Sequence, residues 1–473
     1  MVCRCPSCRR VRYVFLCPDM RVWRVARSNM AATLTCGRAA NEASSYLYVY
    51  GPDGLDPALL KLSAHIIVEP ITYIFNLSRS SNDLPDVWKS VHVLPLLKGG
   101  DPSILDNYRP ISKLSVLAKV LESLINTQLK GFLQNHNILS PVKSGFRAKH
   151  STITAAVKVL DDIICDLHNK MSFAALFIDL SKAFETVDHC ILFKRLRDIG
   201  LGTKAVDWFR NYLANRTQTV AVDGHISASL GVRGGVPQGS ILGLVLFTIY
   251  INTIASVADN GKIHLYADDT VLYCSAPTLA QAYQSLQQSF NLLQATFIEL
   301  RLVLNAGKTK VMQFTKSRTV PSSTTLAIST LDGKCVENVS SYKYLGLWID
   351  EKLTFKVHID KLVRKLRVKL GFYFRNKSCF TLQARRKLIS ATFLPVFDYG
   401  DVIYMHAAST TLHTLDTVYH GALRFIINAK SRTHHCRLYE VTGFSSLGLH
   451  RWFHWHIFIY KAISGDLPAI LIC

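Results

Sequence analysis

The chain has 473 residues, more than the roughly 250–300 at which single cores stop growing, so two or three subdomains are expected. It is 49% hydrophobic and 19% charged, which excludes a chain that is disordered throughout and predicts a mostly globular one. Lysine and arginine number 55 against 33 acids, a net charge of +22 that points to a polyanion; nucleic acid fits best, although charge alone would also permit an anionic membrane.

Residues 1–45 show no clear periodicity and are expected to be a poorly ordered extension. Cys3, Cys5, Cys8, Cys17 and Cys36 crowd this segment. Cys3-x-Cys5-x-x-Cys8 has no second pair at zinc-finger spacing, so no zinc knuckle is expected there. The scattered cysteines read as reduced thiols of an intracellular protein. The short apolar patch near the start fails as a secretory signal.

From Gly51 the pattern becomes regular. Asp56-Pro57 opens an amphipathic helix that turns Leu59, Leu60, Leu62, Ile66 and Ile67 toward a core. Residues 91–97 alternate into a strand, and Lys98-Gly99-Gly100-Asp101-Pro102 is a turn. A second helix keeps Leu117, Val120, Leu121, Leu124, Ile125 and Leu129 in phase. Lys98 and Arg109 sit in loop-like settings before it. A triphosphate requires such fixed cations, but each taken singly reads as a solvated charge.

Residues 173–179 are apolar up to one acid, which predicts a strand buried on both faces with Asp179 at its end. Ser181 is available to cap a helix around Ala183-Phe184, which leaves Asp179 for another role. Residues 191–213 read as helical, and 219–229 as a hairpin around Asp223-Gly224. A glycine-dense loop, 233–240, then offers close backbone approach and helix-start N–H groups suited to phosphate. The uncharged stretch 239–258 could span a bilayer by length. Its polar Thr248, Asn252, Thr253 and Ser256 favour a buried core helix.

Asp268 and Asp269 follow, between apolar half-strands at 263–266 and 270–273, and are expected at a hairpin tip. Carboxylates placed there need a positive partner, and a hard divalent cation is one. Read alone, the pair is equally a polar turn in water. A helix over 279–300, a strand over 311–314 and a strand-and-turn at 344–348 come next. Residues 355–374 form a basic amphipathic helix. Ile359, Leu362, Val363, Leu366 and Leu370 make its stripe, while Lys361, Arg364, Lys365, Arg367 and Lys369 are suited to tracking a phosphate backbone.

Seven motifs stand in one order: NYRPIS at 107–112, SGFRAKHST at 144–152, FIDLSKAF at 177–184, GGVPQGSILG at 234–243, YADD at 266–269, LNAGKTK at 304–310 and YLG at 344–346. In this order they resemble the reverse transcriptase region of LINE-type, jockey-like non-LTR retrotransposons, from about Gly51 onward. The resemblance implies an α+β right-hand polymerase with fingers, palm and thumb and an antiparallel-sheet palm. Residues 46–172 would be fingers with the start of the palm, 173–349 the palm, and 350–473 the thumb with a truncated C-terminal region.

It also implies RNA-directed DNA synthesis with two Mg²⁺ ions, Mn²⁺ being an alternative. Asp179, Asp268 and Asp269 would hold the metals, joined by the Leu180 carbonyl, and Lys308 would act near the pyrophosphate as a general acid. Lys98 and Arg109 would hold the triphosphate, with Gln238 and Gly239 against the incoming nucleotide. Phe184 would exclude a 2′-hydroxyl, although taken alone it reads as a core Phe. Tyr344, Leu345 and Gly346 would form the primer grip. The implied partners are an RNA template, a DNA primer and dNTPs, with an endonuclease supplied elsewhere and no membrane. The implied compartments are cytoplasm and nucleus.

Glu185, Leu244, Lys143 and Thr253 depart from the family's usual Asp, Pro, Gln and Asp. None is an expected metal ligand. They leave a second expectation, a catalytically decayed remnant that still binds nucleic acid. The missing upstream endonuclease and the abrupt stop at 467–473 suggest a fragment.

Overall fold

The computed structural model describes residues 51–257, 261–314, 326–468 and 471; the expected extension over 1–45 and its cysteines lie outside the described residues. The chain forms two compact units. The first comprises the chain up to Ser140 with Leu180–Ser256 and Ala295–Val303; the second comprises Pro141–Asp179, Val257–Gln294 and the chain from Leu304.

In the first unit, Asp56 caps the Pro57–Leu62 helix by accepting the Ala58 N–H at 2.7 Å. Ser63 then ends this helix, and Ala64–Ser81 begins a new one. The break resets the helical phase, so the expected apolar face is wrong in part. Leu60 is buried, but Leu59, Leu62 and Ile66 are exposed, and Ala64, Ile71 and Phe75 turn inward instead.

The unit's sheet is centred on Ser90–Leu97, which pairs antiparallel with Tyr108–Lys113 and parallel with Arg216–Val222. Arg109 therefore lies on a strand opposite Leu96, not in a loop, because residues 107–112 continue a hairpin with Ser90–Leu97. The expected single helix over 191–213 is two, His189–Asp198 and Thr203–Leu213, parted where Gly200 adopts φ +93°. No helix forms around Ala183-Phe184. Lys182 has φ +50°, and its carbonyl accepts from Glu185 and Thr186 in a closed turn. The next helix is capped by Asp188, so Ser181 has no capping role.

The uncharged stretch becomes the helix Ile241–Tyr250 and a 3₁₀ turn, Asn252–Ser256. Leu242 to Tyr250 are buried apart from Leu244, which makes the helix a core element. No helix among the described residues is long and apolar enough to cross a membrane.

The second unit holds a six-stranded sheet in the order Ile328–Ser329, Cys335–Asn338, Lys310–Phe314, Ser172–Ile178, Asp269–Ala276, Lys262–Tyr266. Its pairings are antiparallel except that between Lys310–Phe314 and Cys335–Asn338. Phe173 to Ile178 are each 2% exposed or less, as the continuous apolar run requires. Ala156, Val159, Leu160 and Ile163 of the Thr152–His168 helix share a core with Phe173, Ala175 and Phe177. The hairpin Ser341–Tyr344 with Leu347–Asp350 follows, and after it come helices only among the described residues. The class is α+β, with an antiparallel sheet at its centre.

Candidate active site

Three carboxylates gather at one end of the second unit's sheet. Asp179 leaves the Ser172–Ile178 strand at its C-terminal end. The register sets Ile178 against Thr270, so Asp179 and Asp269 are the next residues on adjoining strands. Tyr266 pairs with Asp269, which confines the turn to Ala267-Asp268. The two acids are therefore unlike: Asp268 hangs from the turn, whereas Asp269 opens the returning strand. The Tyr342 hydroxyl reports the shared field. Burial pushes its pKa up to about 12, with the charges of Asp269 and Asp179 adding to the effect.

Ala267 has φ +57° in the turn, a left-handed backbone that costs an L-residue roughly 1–2 kcal/mol. Its neighbours hold it there. Leu265 donates its N–H to Val142 O at 3.0 Å, and Ser144 donates its N–H to Leu265 O at 2.8 Å, so the segment before Gly145 lines the edge of the hairpin. A Cβ on Gly145 would lie 2.3 Å from the Ala267 nitrogen. The glycine of the SGFR motif is thus required by contact with the turn that carries Asp268.

A polar chain runs beneath. The Ser144 hydroxyl hydrogen-bonds with His150 Nδ1 at 3.0 Å and His264 Nε2 at 3.1 Å, and His264 Nδ1 with the Tyr344 hydroxyl at 3.4 Å. His264 is 1% exposed. Burial lowers the pKa of both His150 and His264 to about 4. A histidine kept neutral by folding contributes stability that is fully present above its unfolded pKa, near 6.5, and lost as pH falls toward 4. For His264 the loss is on the order of 3 kcal/mol. The expected result is a urea midpoint that declines through this window while NMR shows His264 still neutral near pH 5. A His264 ring that titrates near 6.5 would contradict the buried relay.

The loop that leads into the Lys310–Phe314 strand holds the main chain of Asp179. Asn305 donates its N–H to Asp179 O at 2.9 Å, Asp179 donates its own to Thr309 Oγ1 at 3.3 Å, and the Thr309 hydroxyl donates to Asn305 O at 2.8 Å. Lys308 is exposed on the same loop. Asn305 and Thr309 both stand in LNAGKTK, but nothing in the motif's spacing marks them as holding the main chain of a residue some 130 positions earlier. Tyr344 is 2% exposed and packs against Phe177, so it belongs to the core, while Leu345-Gly346 forms the turn beyond it with φ +45° and +88°.

The remaining candidates lie in the first unit. Phe184 stacks on Phe247 with ring centroids 4.4 Å apart, and its carbonyl accepts the Val236 N–H at 2.8 Å. Gln238 donates from Nε2 to Glu185 Oε1 at 3.2 Å, and its carbonyl accepts the Ser112 N–H at 2.7 Å. Gly239 has φ +116°, and a Cβ there would meet Ser112 O at 2.6 Å. Burial raises the Glu185 pKa, while the charges of Lys182 and Lys98 lower it. Lys98, Lys182, Glu185 and Gln238 therefore share one electrostatic neighbourhood, while Arg109 is exposed on its strand. The glycine-dense loop is tight because it packs against Ser112 and the 184–185 turn. The helix start it opens is not available to phosphate. Buried Glu122 accepts the Ile241 N–H at 2.7 Å, and Ser240 Oγ accepts the Gly243 N–H at 2.7 Å.

The ordered motifs and the acid-ended antiparallel sheet define a template-directed polymerase fold. Residues 97–349 match the family described as reverse transcriptase (RNA-dependent DNA polymerase), more than half of the chain, and the chain belongs to that family. It is 29% identical over 387 residues to a probable RNA-directed DNA polymerase from transposon BS of Drosophila melanogaster, covering 80% of this chain and 42% of that protein. It is 27% identical over 392 residues to the RNA-directed DNA polymerase from mobile element jockey of the same species, with the same coverage. The chain thus spans less than half the length of these relatives. A telomerase from Candida albicans, solved with a fragment of telomeric RNA, is a loose structural neighbour. Its TM-score is 0.42 at 12% identity, over 79% of this chain and 68% of that one.

Proposed function

We propose that the chain carries out RNA-directed DNA synthesis for a non-LTR retrotransposon, extending a DNA primer on an RNA template with dNTPs. The observation that carries this reading is the set of Asp179, Asp268 and Asp269 at one sheet end in a chain of the reverse transcriptase family. In this reading residues 46–172 act as fingers with the start of the palm, 173–349 as palm, and 350–473 as thumb with the C-terminal region, with copying in the nucleus of an RNA that comes from the cytoplasm.

The donor set fits hard divalent cations, because carboxylate oxygens from adjoining strands share one field at Tyr342. Asp179, Asp268 and Asp269, with the Leu180 carbonyl, would hold them. Bound there, two Mg²⁺ ions (or Mn²⁺) supply acidification of the primer hydroxyl and neutralisation of triphosphate charge. The chain's own residues do the rest. Lys98 and Arg109 bind the triphosphate, Gln238 and Gly239 contact the incoming nucleotide, and Lys308 protonates the leaving pyrophosphate. Leu345 and Gly346, on the turn after buried Tyr344, steady the primer end.

Phe184 selects the sugar by exclusion. Its ring is backed by Phe247, so it cannot easily give way to a 2′-hydroxyl. Primer extension with dNTPs and NTPs offered separately tests the reading, with dNTPs expected to be preferred. Phe184→Val is expected to narrow that preference by about 10-fold or more, since a few kcal/mol of steric rejection is removed. A wild-type preference for NTPs would contradict the proposal, and an unchanged preference in the variant would remove Phe184 from it.

A further inference from the structure

The second unit carries a cluster that nucleotidyl transfer does not use. Asp398 ends the Leu394–Asp398 helix, and Asp401 opens Asp401–Tyr404 just beyond it. His450 and His454, one helical turn apart, lie on Leu447–Ile463, which packs against the second of these helices. One ring nitrogen from each histidine and one Asp398 oxygen lie within 4.8 Å of one another, and all three residues are half-buried.

The hydrogen bonding around them is uneven in an informative way. His454 Nδ1 is 2.6 Å from Asp401 Oδ2, and Asp401 is 3% exposed. In the neutral ring this contact puts the proton on Nδ1 and leaves a lone pair on Nε2, the arrangement in which a carboxylate fixes a metal-binding histidine. His450 Nδ1 is shielded from solvent and makes no closer polar contact than Asp398 Oδ1 at 3.6 Å, an ion-pair distance when the ring is protonated, and Asp398 raises the His450 pKa. That distance is too long for a hydrogen bond. Two bonds of about 2.0–2.1 Å at a tetrahedral angle would place ligand atoms roughly 3.3 Å apart, so binding requires the three atoms to draw together by up to about 1.5 Å.

We propose that Asp398, His450 and His454 bind one Zn²⁺ ion, with Asp401 orienting the His454 ring. Two imidazoles and one carboxylate suit zinc, with water as the fourth ligand, and discriminate against Mg²⁺, which prefers oxygen donors. The ion ties the Leu447–Ile463 helix to the segment that includes residues 398–401. The residues are distinct from the three acids at the sheet end, so the site stands whether or not the chain polymerises.

The test uses the full chain, stripped with chelator, titrated with Co²⁺ and then with Zn²⁺. The expected result is visible cobalt absorption without thiolate charge-transfer bands, bleached by Zn²⁺ and unaffected by excess Mg²⁺. One equivalent of zinc is expected to be lost in His454→Ala and in Asp398→Asn, which keeps the side chain's shape, and retained in Cys436→Ser. Cys436 lies in the exposed cluster His434, His435 and Cys436, which could otherwise supply the ligands. Asp401→Asn should weaken zinc binding by about 10–100-fold, since it acts through the His454 ring. Equal zinc stoichiometry and affinity in wild type and Asp398→Asn, or cobalt spectra dominated by thiolate, would overturn the proposal. So would a chain that binds no zinc.

Discussion

Asp268→Asn is expected to lower dNTP incorporation by about 10³-fold or more, since losing a proposed metal ligand would forfeit several kcal/mol of transition-state stabilisation at 1.36 kcal/mol per factor of ten. Asp269→Asn should cost distinctly less. Both substitutions keep the side-chain shape, so neither should disturb the hairpin. Their surroundings differ. Asp268 lies in the two-residue turn, and resemblance makes it the ligand shared by both ions. Asp269 opens the returning strand, and its charge is felt by Tyr342 and Tyr344. A second readout follows from that field. A nearby carboxylate raises a phenol's pKa, so Tyr342 should titrate lower in Asp269→Asn and hold its position in Asp268→Asn. Single-turnover incorporation and tyrosine NMR measure the two effects. Equal tolerance of both substitutions would count against the assignment of Asp268.

Gly145→Ala is the second large effect, and it acts without touching a proposed ligand. The added methyl would stand 2.3 Å from the Ala267 nitrogen, and backbone cannot move aside as a flexible side chain can. Either the 142–144 edge pairing or the turn must shift, and an ångström of misplacement at a reacting centre costs about 100-fold. Incorporation should fall by about that factor, while binding of template and primer stays near wild type. Gly131→Ala is the matched control, since nothing lies within 4 Å of its added carbon in the middle of a helix. There the change should stabilise the chain by about 0.5–1 kcal/mol, with synthesis unaltered. Normal synthesis in Gly145→Ala would mean that the SGFR segment does not position the hairpin.

The parts of the fold visible in sequence are those where local pattern and burial agree. Phe173 to Ile178 reads as a strand because both its faces are covered, and Lys262–Tyr266 with Asp269–Ala276 reads as a hairpin because its apolar runs flank a short polar turn. The basic helix expected over 355–374 forms as Lys356–Arg375, with Ile359, Leu362, Val363 and Leu366 of its expected stripe buried and Leu370 half-buried. Hidden from sequence were the points where a single backbone angle or a distant partner decides. Ser63, Lys182 and Gly200 interrupt runs whose periodicity continues through them. Glu122 satisfies the start of the Ile241–Tyr250 helix from 119 positions away, which turned an expected phosphate seat into a buried cap.

The site divides in the same way. Its acids stood out as chemistry, and SGFR, PQG and LNAGKTK stood out as motifs. What Gly145, Gly239, Asn305 and Thr309 do within those motifs depends on partners up to 130 positions away, as for the Asp179–Thr309 bond. Two of the four motif departures lie close to this machinery. Glu185 accepts the hydrogen bond from Gln238, and Lys143 is buried at 2% exposure beside the hairpin edge.

The most direct test of the account is primer extension by the purified chain, on an RNA template annealed to a DNA primer, with dNTPs and Mg²⁺. The predicted result is template-dictated DNA synthesis that stops on chelation and is absent in Asp268→Asn. Tight, salt-sensitive binding of the same duplex with no extension in Mg²⁺ or Mn²⁺ would contradict it and identify a nucleic-acid-binding remnant of a polymerase.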